Sequence, residues 1–339
     1  MSAGDSPIVT KTLNNSGDFK TPTRKIASDK LNQSLVERTP IPIPPSPLLE
    51  KLGFGTGVTV FKLNRKPQGS GVAASPWAVK RVASTSKTNQ VLTERLEREA
   101  QILQKLDHPN IIGFRKMQKQ KDGRLCLAME EGGVCLMDLI EDQKDEFDKP
   151  FTADIIMKVA LDIAKALSYL HEDQKLVHGD IKSQNILIKD DFKIAKLCDF
   201  GTSLPIGPDG VVQGDYHCSE PWSAPEVVDF YGEGEDEENS PIKGQTKCVI
   251  TEKADVFSFG LVIYEMLALF IPHMDTDDTA KSFDEDAFYG KIGSRPDLPD
   301  IQYDASFNDI LGIFYSCTEH IPEKRPSAKR LVQILSGDA

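Results

Sequence analysis

The sequence predicts an α+β fold of two lobes, a β-rich N-lobe over about residues 47–131 and a helical C-lobe over about 132–336, behind a disordered tail at 1–46. Three observations predict it. Short runs before Glu131 alternate apolar and polar residues, the period becomes helical after Gly132-Gly133, and the first 46 residues carry no apolar period at all. A chain of 339 residues, 39% of them hydrophobic, has room for about two domains or one two-lobed domain with a real core.

Each element follows in order. Residues 1–46 are rich in Ser, Thr, Pro, Asn and Lys and lead into the proline run Thr39–Pro47. They cannot bury enough surface to offset their ordering entropy. Val58–Leu63 alternates, Pro76–Val82 reads as a second strand and Leu125–Met129 as a buried one. Between Thr88 and Leu106 a helix sets Leu92, Leu96, Leu103 and Leu106 on one face, with Glu99 inside that stripe. Further on, Ile155, Ile156, Val159, Ile163, Leu167 and Leu170 mark a long amphipathic helix, followed by short strands near Val177, Leu187 and Leu197. Val256–Leu269 is apolar almost all round and reads as a helix buried on every side. Residues 230–248 and 275–286 are acidic and aperiodic and read as solvated insertions; steering of basic substrates is the alternative role for them.

Charge and cysteine usage narrow the function. With 40 Lys+Arg against 52 Asp+Glu the formal charge is −12, which argues against nucleic acid as a partner. The same total sits awkwardly with a polyphosphate ligand. Six cysteines, Cys126, Cys135, Cys198, Cys218, Cys248 and Cys317, form no CxxC pair and have no histidine at zinc-ligand spacing, so free thiols in a reducing compartment are expected. The N-terminus lacks a signal-peptide pattern, and the apolar stretch Val256–Ile271 is too short for a bilayer and carries Glu265. The expectation is a soluble protein of the cytoplasm or nucleus with no membrane partner.

Gly53-Phe-Gly55-Thr-Gly57-Val-Thr-Val60 is the first motif with chemistry in it, either an ordinary hairpin turn or a loop whose backbone approaches phosphate oxygens. A Walker loop would end in Gly-Lys-Ser/Thr, and a dinucleotide fold would put a helix after the glycines. A β-branched strand follows instead, so the motif reads as a hairpin lid over a nucleotide. Lys80, on the strand Pro76–Val82, is the natural cation for Glu99, since a carboxylate in an apolar stripe needs one; the alternative is that Glu97 or Glu99 only edges the stripe.

The strong signal is His178-Gly-Asp180-Ile-Lys182-Ser-Gln-Asn185, then Asp199-Phe-Gly201 and Ala224-Pro-Glu226. Phosphoryl transfer needs a carboxylate to orient the hydroxyl nucleophile, a cation for phosphoryl charge and oxygen ligands for Mg2+. Asp180, Lys182, Asn185 and Asp199 supply that set.

At these motifs the chain resembles the eukaryotic protein kinase family over residues 48–336, which implies a bilobal protein kinase fold using ATP and Mg2+. The resemblance makes Asp180 the catalytic base, Lys182 a γ-phosphate contact, Asn185 and Asp199 the metal ligands, and Lys80, paired with Glu99, the holder of the α/β-phosphates. It places Leu52, Gly53, Phe54, Gly55, Thr56, Gly57, Val58 and Val60 around the nucleotide. Met129 becomes the gatekeeper and Glu130 to Gly132 the hinge that receives adenine. Lys182, two residues past the base, matches serine/threonine kinases. Asp255 resembles the helix aspartate that holds the catalytic-loop backbone, Arg325 the partner of Glu226, and Ser219 the residue that bonds the catalytic aspartate. Intact Lys80, Glu99, Asp180, Asn185 and Asp199 argue against the alternative, a pseudokinase-like scaffold, while Ala224-Pro-Glu226 with Arg325 favours a protein substrate over a small molecule.

Finer resemblance, carried by Phe19-Lys-Thr-Pro22, Lys51–Gly57, Ser75–Lys80, Leu125–Glu130 and Glu220-Pro-Trp222, is to a mitotic, MAP kinase kinase-like branch with dual specificity. It implies MAP kinases or basic proteins as substrates. Among six Ser/Thr-Pro pairs, only Thr21-Pro-Thr-Arg24 and Ser240-Pro-Ile-Lys243 add a basic residue three positions on. An upstream cyclin-dependent kinase acting on Thr21 in mitosis is therefore expected. Three departures stand out. Val58 occupies the third glycine position of the loop; Gly179 stands where the family commonly has an arginine that pairs with a phosphorylated activation loop; and Gly337 and Ala339 speak against a PDZ-domain partner for the C-terminus.

Overall fold

Alternating side chains lay down an antiparallel sheet first. The computed structural model describes residues 50–55, 58–65, 74–82, 89–119, 124–232, 249–274 and 284–338. Strands β1 (Glu50–Gly55), β2 (Val58–Arg65), β3 (Ala74–Val82), β4 (Phe114–Lys119) and β5 (Leu125–Glu130) form a five-stranded sheet in the order β1-β2-β3-β5-β4. Helix α1 (Asn89–Leu103) packs against β3, β4 and β5 and buries Leu96, Glu99, Ala100 and Leu103. The β-rich first part of the expected α+β fold is thus present.

Beyond the sheet the helical period takes over. Helices α2 (Leu136–Phe147) and α3 (Ala153–Ser168) come first, α3 with Asp154 in its first turn and Lys165 in its last, each matching the helix dipole. Two small sheets join strands β6 (Val134–Cys135), β8 (Ile186–Lys189) and β9 (Ile194–Leu197), and β7 (Leu176–Val177) with β10 (Leu204–Pro205). Then come α4 (Pro225–Gly232), α5 (Lys253–Ala268), the short α6 (Glu285–Tyr289), α7 (Asn308–Cys317) and α8 (Ala328–Ser336). Helix α5 is buried from Ala254 through Ala268, acids included, with α3 and α7 packed on it. Burying an entire helix leaves no wet face, and this is why its sequence shows no amphipathic stripe. Among the described residues no helix is long and apolar enough to cross a membrane.

Several boundaries differ from the sequence expectation. Gly53 and Gly55 lie in β1, paired with Val60 and Val58, so the glycine motif is the rising strand of a hairpin. Helix α1 stops at Leu103 rather than Leu106, because Lys105 and Leu106 bond three residues back and Pro109 follows. The acidic stretch from 230 begins inside α4, which runs to Gly232, and the stretch ending at 286 closes inside α6, where Asp284 accepts from Ala287 N at 3.0 Å as an N-cap. Strand β4 was not expected: Phe-Arg-Lys-Met-Gln-Lys has no alternation, and its middle residues are half-buried on both faces. The tail with Thr21 and residues Thr56, Gly57, Ser240 and Ala339 lie outside the described residues, as do the side chains of Leu52–Gly55.

Candidate active site

Lys80 stands on β3 directly opposite Leu127 of β5, and α1 crosses behind it. Its Nζ lies 2.8 Å from Glu99 Oε2 and 2.8 Å from Asp199 Oδ1. Glu99 is 1% exposed while Glu97 faces solvent, which settles which carboxylate the apolar stripe carries inward. Burial works against the Lys80 ammonium, but Glu99 and Asp199 outweigh it and hold its pKa above the usual lysine value. Burial pushes the Glu99 carboxyl up, partly offset by Lys80. For Asp199 burial also pushes upward, and Lys80 reverses it, leaving the carboxyl at about 2.

The loop after β7 brings the second group of residues together. Asp255, near the start of α5, accepts from His178 N at 2.8 Å, Gly179 N at 2.9 Å and His171 Nε2 at 2.8 Å. That grip fixes the backbone just before Asp180. Gly179 sits at φ +81°, and a Cβ there would stand 3.0 Å from Thr202 O, so the position belongs to glycine. His178 accepts from Asp180 N at Nδ1, 3.3 Å away, which leaves Nε2–H to donate to Cys198 O at 3.0 Å. This ring links the loop to the residue before Asp199.

Asp180 is held from several sides. Its Oδ1 accepts from Ser219 N and Oγ at 3.1 and 2.8 Å; its Oδ2 accepts from Asn185 Nδ2 at 3.0 Å and lies 2.8 Å from Lys182 Nζ. Lys182 also donates to Ser219 Oγ at 2.5 Å. Asn185 gives the same amide nitrogen to Asp180 O at 2.8 Å, so its amide oxygen is left for a ligand. Asp199 gives Oδ1 to Lys80 and, at 3.4 Å, to Gly201 N, leaving Oδ2. One amide oxygen and one carboxylate oxygen are hard donors and fit a hard divalent cation.

Met129 is buried on β5, paired with Ala78 and Phe114. The Glu130 amide donates to Gly113 O at 2.7 Å, and its side chain turns to Lys196 Nζ at 3.2 Å. At Gly132 a Cβ would meet Leu187 at 2.5 Å, so the chain can pass over β8 only without a side chain there. Val58 and Val60 are half-buried on β2, Val60 opposite Lys80.

Sequence reasoning missed Glu265. This α5 residue is fully buried and accepts from Ser183 N at 3.3 Å, Ser183 Oγ at 2.5 Å and Trp222 Nε1 at 2.9 Å. It ties the loop between Lys182 and Asn185 to the segment before α4. Its only signal was an acid inside the apolar stretch Val256–Leu269. The expected pair of Glu226 and Arg325 is present, fork to fork at 2.7 and 2.8 Å.

The profile of the protein kinase domain matches residues 47–335. The chain is 43% identical over 336 residues to the lymphokine-activated killer T-cell-originated protein kinase of Homo sapiens, covering 95% of this chain and 98% of that one. It is 27% identical over 250 residues to the serine/threonine/tyrosine-protein kinase HT1 of Arabidopsis thaliana, covering 74% of this chain and 56% of that protein. A putative mitogen-activated protein kinase kinase kinase 7-like protein of Drosophila melanogaster is 29% identical over 253 residues, covering 73% of this chain and 56% of its own length.

Proposed function

The chain belongs to the protein kinase family, and from that premise we propose that Lys80, Glu99, Asp180, Lys182, Asn185 and Asp199 transfer the ATP γ-phosphoryl group to a hydroxyl of a protein substrate. It is an ATP-dependent protein serine/threonine kinase that works with a divalent metal ion.

We read that ion as Mg2+, which Asn185 and Asp199 would hold through the oxygens that the hydrogen bonds among the described residues leave for a ligand. When bound, it neutralises charge on the phosphates. Lys80, fixed by Glu99, meets the α- and β-phosphates; the β1–β2 hairpin covers them; the backbone of Glu130–Gly132 receives the base beside Met129. Asp180 orients the substrate hydroxyl and takes its proton. Its neighbours hold the carboxylate in place, and Lys182 meets the γ-phosphate.

The observation that carries this reading over a scaffold is the position of Lys80 Nζ, 2.8 Å from each of two carboxylates brought in from opposite lobes. A protein acting only through contacts has no use for a buried cation shared in that way. The test is a peptide-library kinase assay with wild type and Asp180→Ala. Transfer should fall by about 10³-fold in the variant with ATP affinity kept within a few-fold, and equal phosphorylation by both forms would sink the reading.

Finer assignments rest on the likeness to the human kinase and on the motifs of this chain. We infer a MAP kinase kinase-like role in mitosis, dual specificity, and MAP kinases or basic proteins as substrates. Thr21 is taken as the target of an upstream cyclin-dependent kinase, which phosphopeptide mapping of mitotically arrested cells should show modified. Residence in the cytoplasm or nucleus is inferred from the free thiols Cys126, Cys135, Cys198, Cys218 and Cys317. We infer no PDZ-domain partner from residues 336–338, where Gly337 is the left-handed cap of α8.

A further inference from the structure

The segment between Asp199 and Glu226 carries five hydroxyl side chains, Thr202, Ser203, Tyr216, Ser219 and Ser223. All five are engaged. Ser203 is buried and donates to His178 O at 2.9 Å, and Thr202 reaches the same oxygen at 3.5 Å. Ser219 is bound to Asp180, Ser223 is buried 3.1 Å from Cys218 Sγ, and Tyr216 is 3% exposed. A phosphoryl group on any of them would have to break the contact already there. Position 179 gives such a group no partner, since Gly179 has no side chain and its amide is already bound to Asp255.

What holds this segment is backbone pairing and apolar burial. Leu204–Pro205 pairs with Leu176–Val177, Ile206 N donates to Lys175 O at 2.8 Å, and Val212 N donates to Ile250 O at 2.9 Å. Val212 and Tyr216 then enter an apolar cluster built from Val177, Val227 of α4 and Ala254, Phe257 and Leu261 of α5. Between Val212 and Trp222, Tyr216 is the one buried side chain; its neighbours Asp215 and His217 are exposed. Three residues later comes Ser219, whose amide and hydroxyl hold Asp180.

We propose that Tyr216 is a positioning residue for phosphoryl transfer: its ring, seated between α4 and α5, sets the segment 204–222 so that Ser219 meets Asp180, and the segment works without phosphorylation. The inference rests on the kinase reading above and adds how its substrate-side segment is fixed.

The test uses the full chain, treated or not with a broad protein phosphatase and checked by mass spectrometry, with casein and histone as substrates. Treated wild type should keep its kcat within about twofold. Tyr216→Phe should stay within about threefold of wild type, while Tyr216→Ala should lose about 30-fold or more in kcat/KM for protein, with ATP-analogue affinity unchanged within about twofold. A purely structural role would lower ATP affinity and transfer together, so that joint loss would overturn the proposal. So would a phosphatase-induced loss above tenfold that rephosphorylation restores and mass spectrometry maps to a hydroxyl between Asp199 and Glu226 rather than to Thr21, or full activity in Tyr216→Ala. Should Tyr216→Ala fail to fold, Val212→Ala and the phosphatase comparison decide: a milder fall in kcat/KM for protein supports the anchor, no fall overturns it. Untreated wild type that transfers nothing would overturn the kinase reading itself; loss confined to the treated enzyme overturns only this inference.

Discussion

Ser219 and Asp180 are 39 residues apart in the chain, yet the serine amide and hydroxyl converge on one carboxylate oxygen at 3.1 and 2.8 Å. Removing the hydroxyl leaves the amide to orient the carboxylate. Ser219→Ala should therefore lower kcat by about tenfold, the scale of one misplaced orienting contact. Ser219→Asp puts a like charge beside Asp180 and should fall further, by about 100-fold. Steady-state kinetics on one peptide checks the order; an aspartate variant more active than the alanine one contradicts it.

Lys80 is the counter-charge for the buried Glu99 and the partly exposed Asp199, so its loss acts on stability as well as chemistry. Lys80→Met should abolish detectable transfer and lower unfolding free energy by about 3 kcal/mol, the cost of leaving Glu99 unpaired. Adding Glu99→Gln should return part of that stability and none of the activity. Urea denaturation of the two singles and the double gives the coupling; strict additivity would show that the pair does not interact.

Glu265 makes a pH prediction whose sign is opposite to that of an acid held by an ion pair, such as Asp199. Burial raises its carboxyl, against the bonds from Ser183 and Trp222, to about 7 from an ordinary 4.5. Between those values the native state holds a proton that the unfolded chain has released, so stability falls as pH rises from about 4.5 to about 7. The contribution is on the order of 3 kcal/mol across the window. Glu265→Gln should flatten the dependence relative to wild type, measured by unfolding at pH 5, 6 and 7. An unchanged slope would refute the assignment.

Gly179 is at φ +81° with Thr202 O close to where a Cβ would stand. Gly179→Ala should cost about 1–2 kcal/mol in unfolding free energy, the penalty of a left-handed L-residue. A calorimetric Tm equal to wild type would show that the loop adjusts freely.

How much of this could be read from the chain varied with the range of the contact. The signature from His178 to Glu226 was legible because phosphoryl transfer demands those residue types at short spacing, and Glu99 because an acid in an apolar stripe calls for a partner. Strand β4 was illegible, since both its faces are half-covered and no period survives. Glu265 was equally hidden. Its partners lie 82 and 43 residues away, and nothing local says which buried acid will find donors. The double use of Lys80 was half-legible: Glu99 could be inferred, whereas the bond to Asp199 exists only because the two lobes meet.

Asp255 and Glu265 sit ten residues apart on α5 and grip the catalytic loop at Gly179 and at Ser183. A helix rises about 1.5 Å per residue, so the two grips are spaced by a rod of about 15 Å. The helix acts as a gauge block for the loop, and the span across Asp180 and Lys182 is set by the helical repeat rather than by the loop's own preferences. One residue inserted between 255 and 265 would leave the helix intact but swing one grip by about 100°. Length, more than composition, is what this stretch of the chain cannot change.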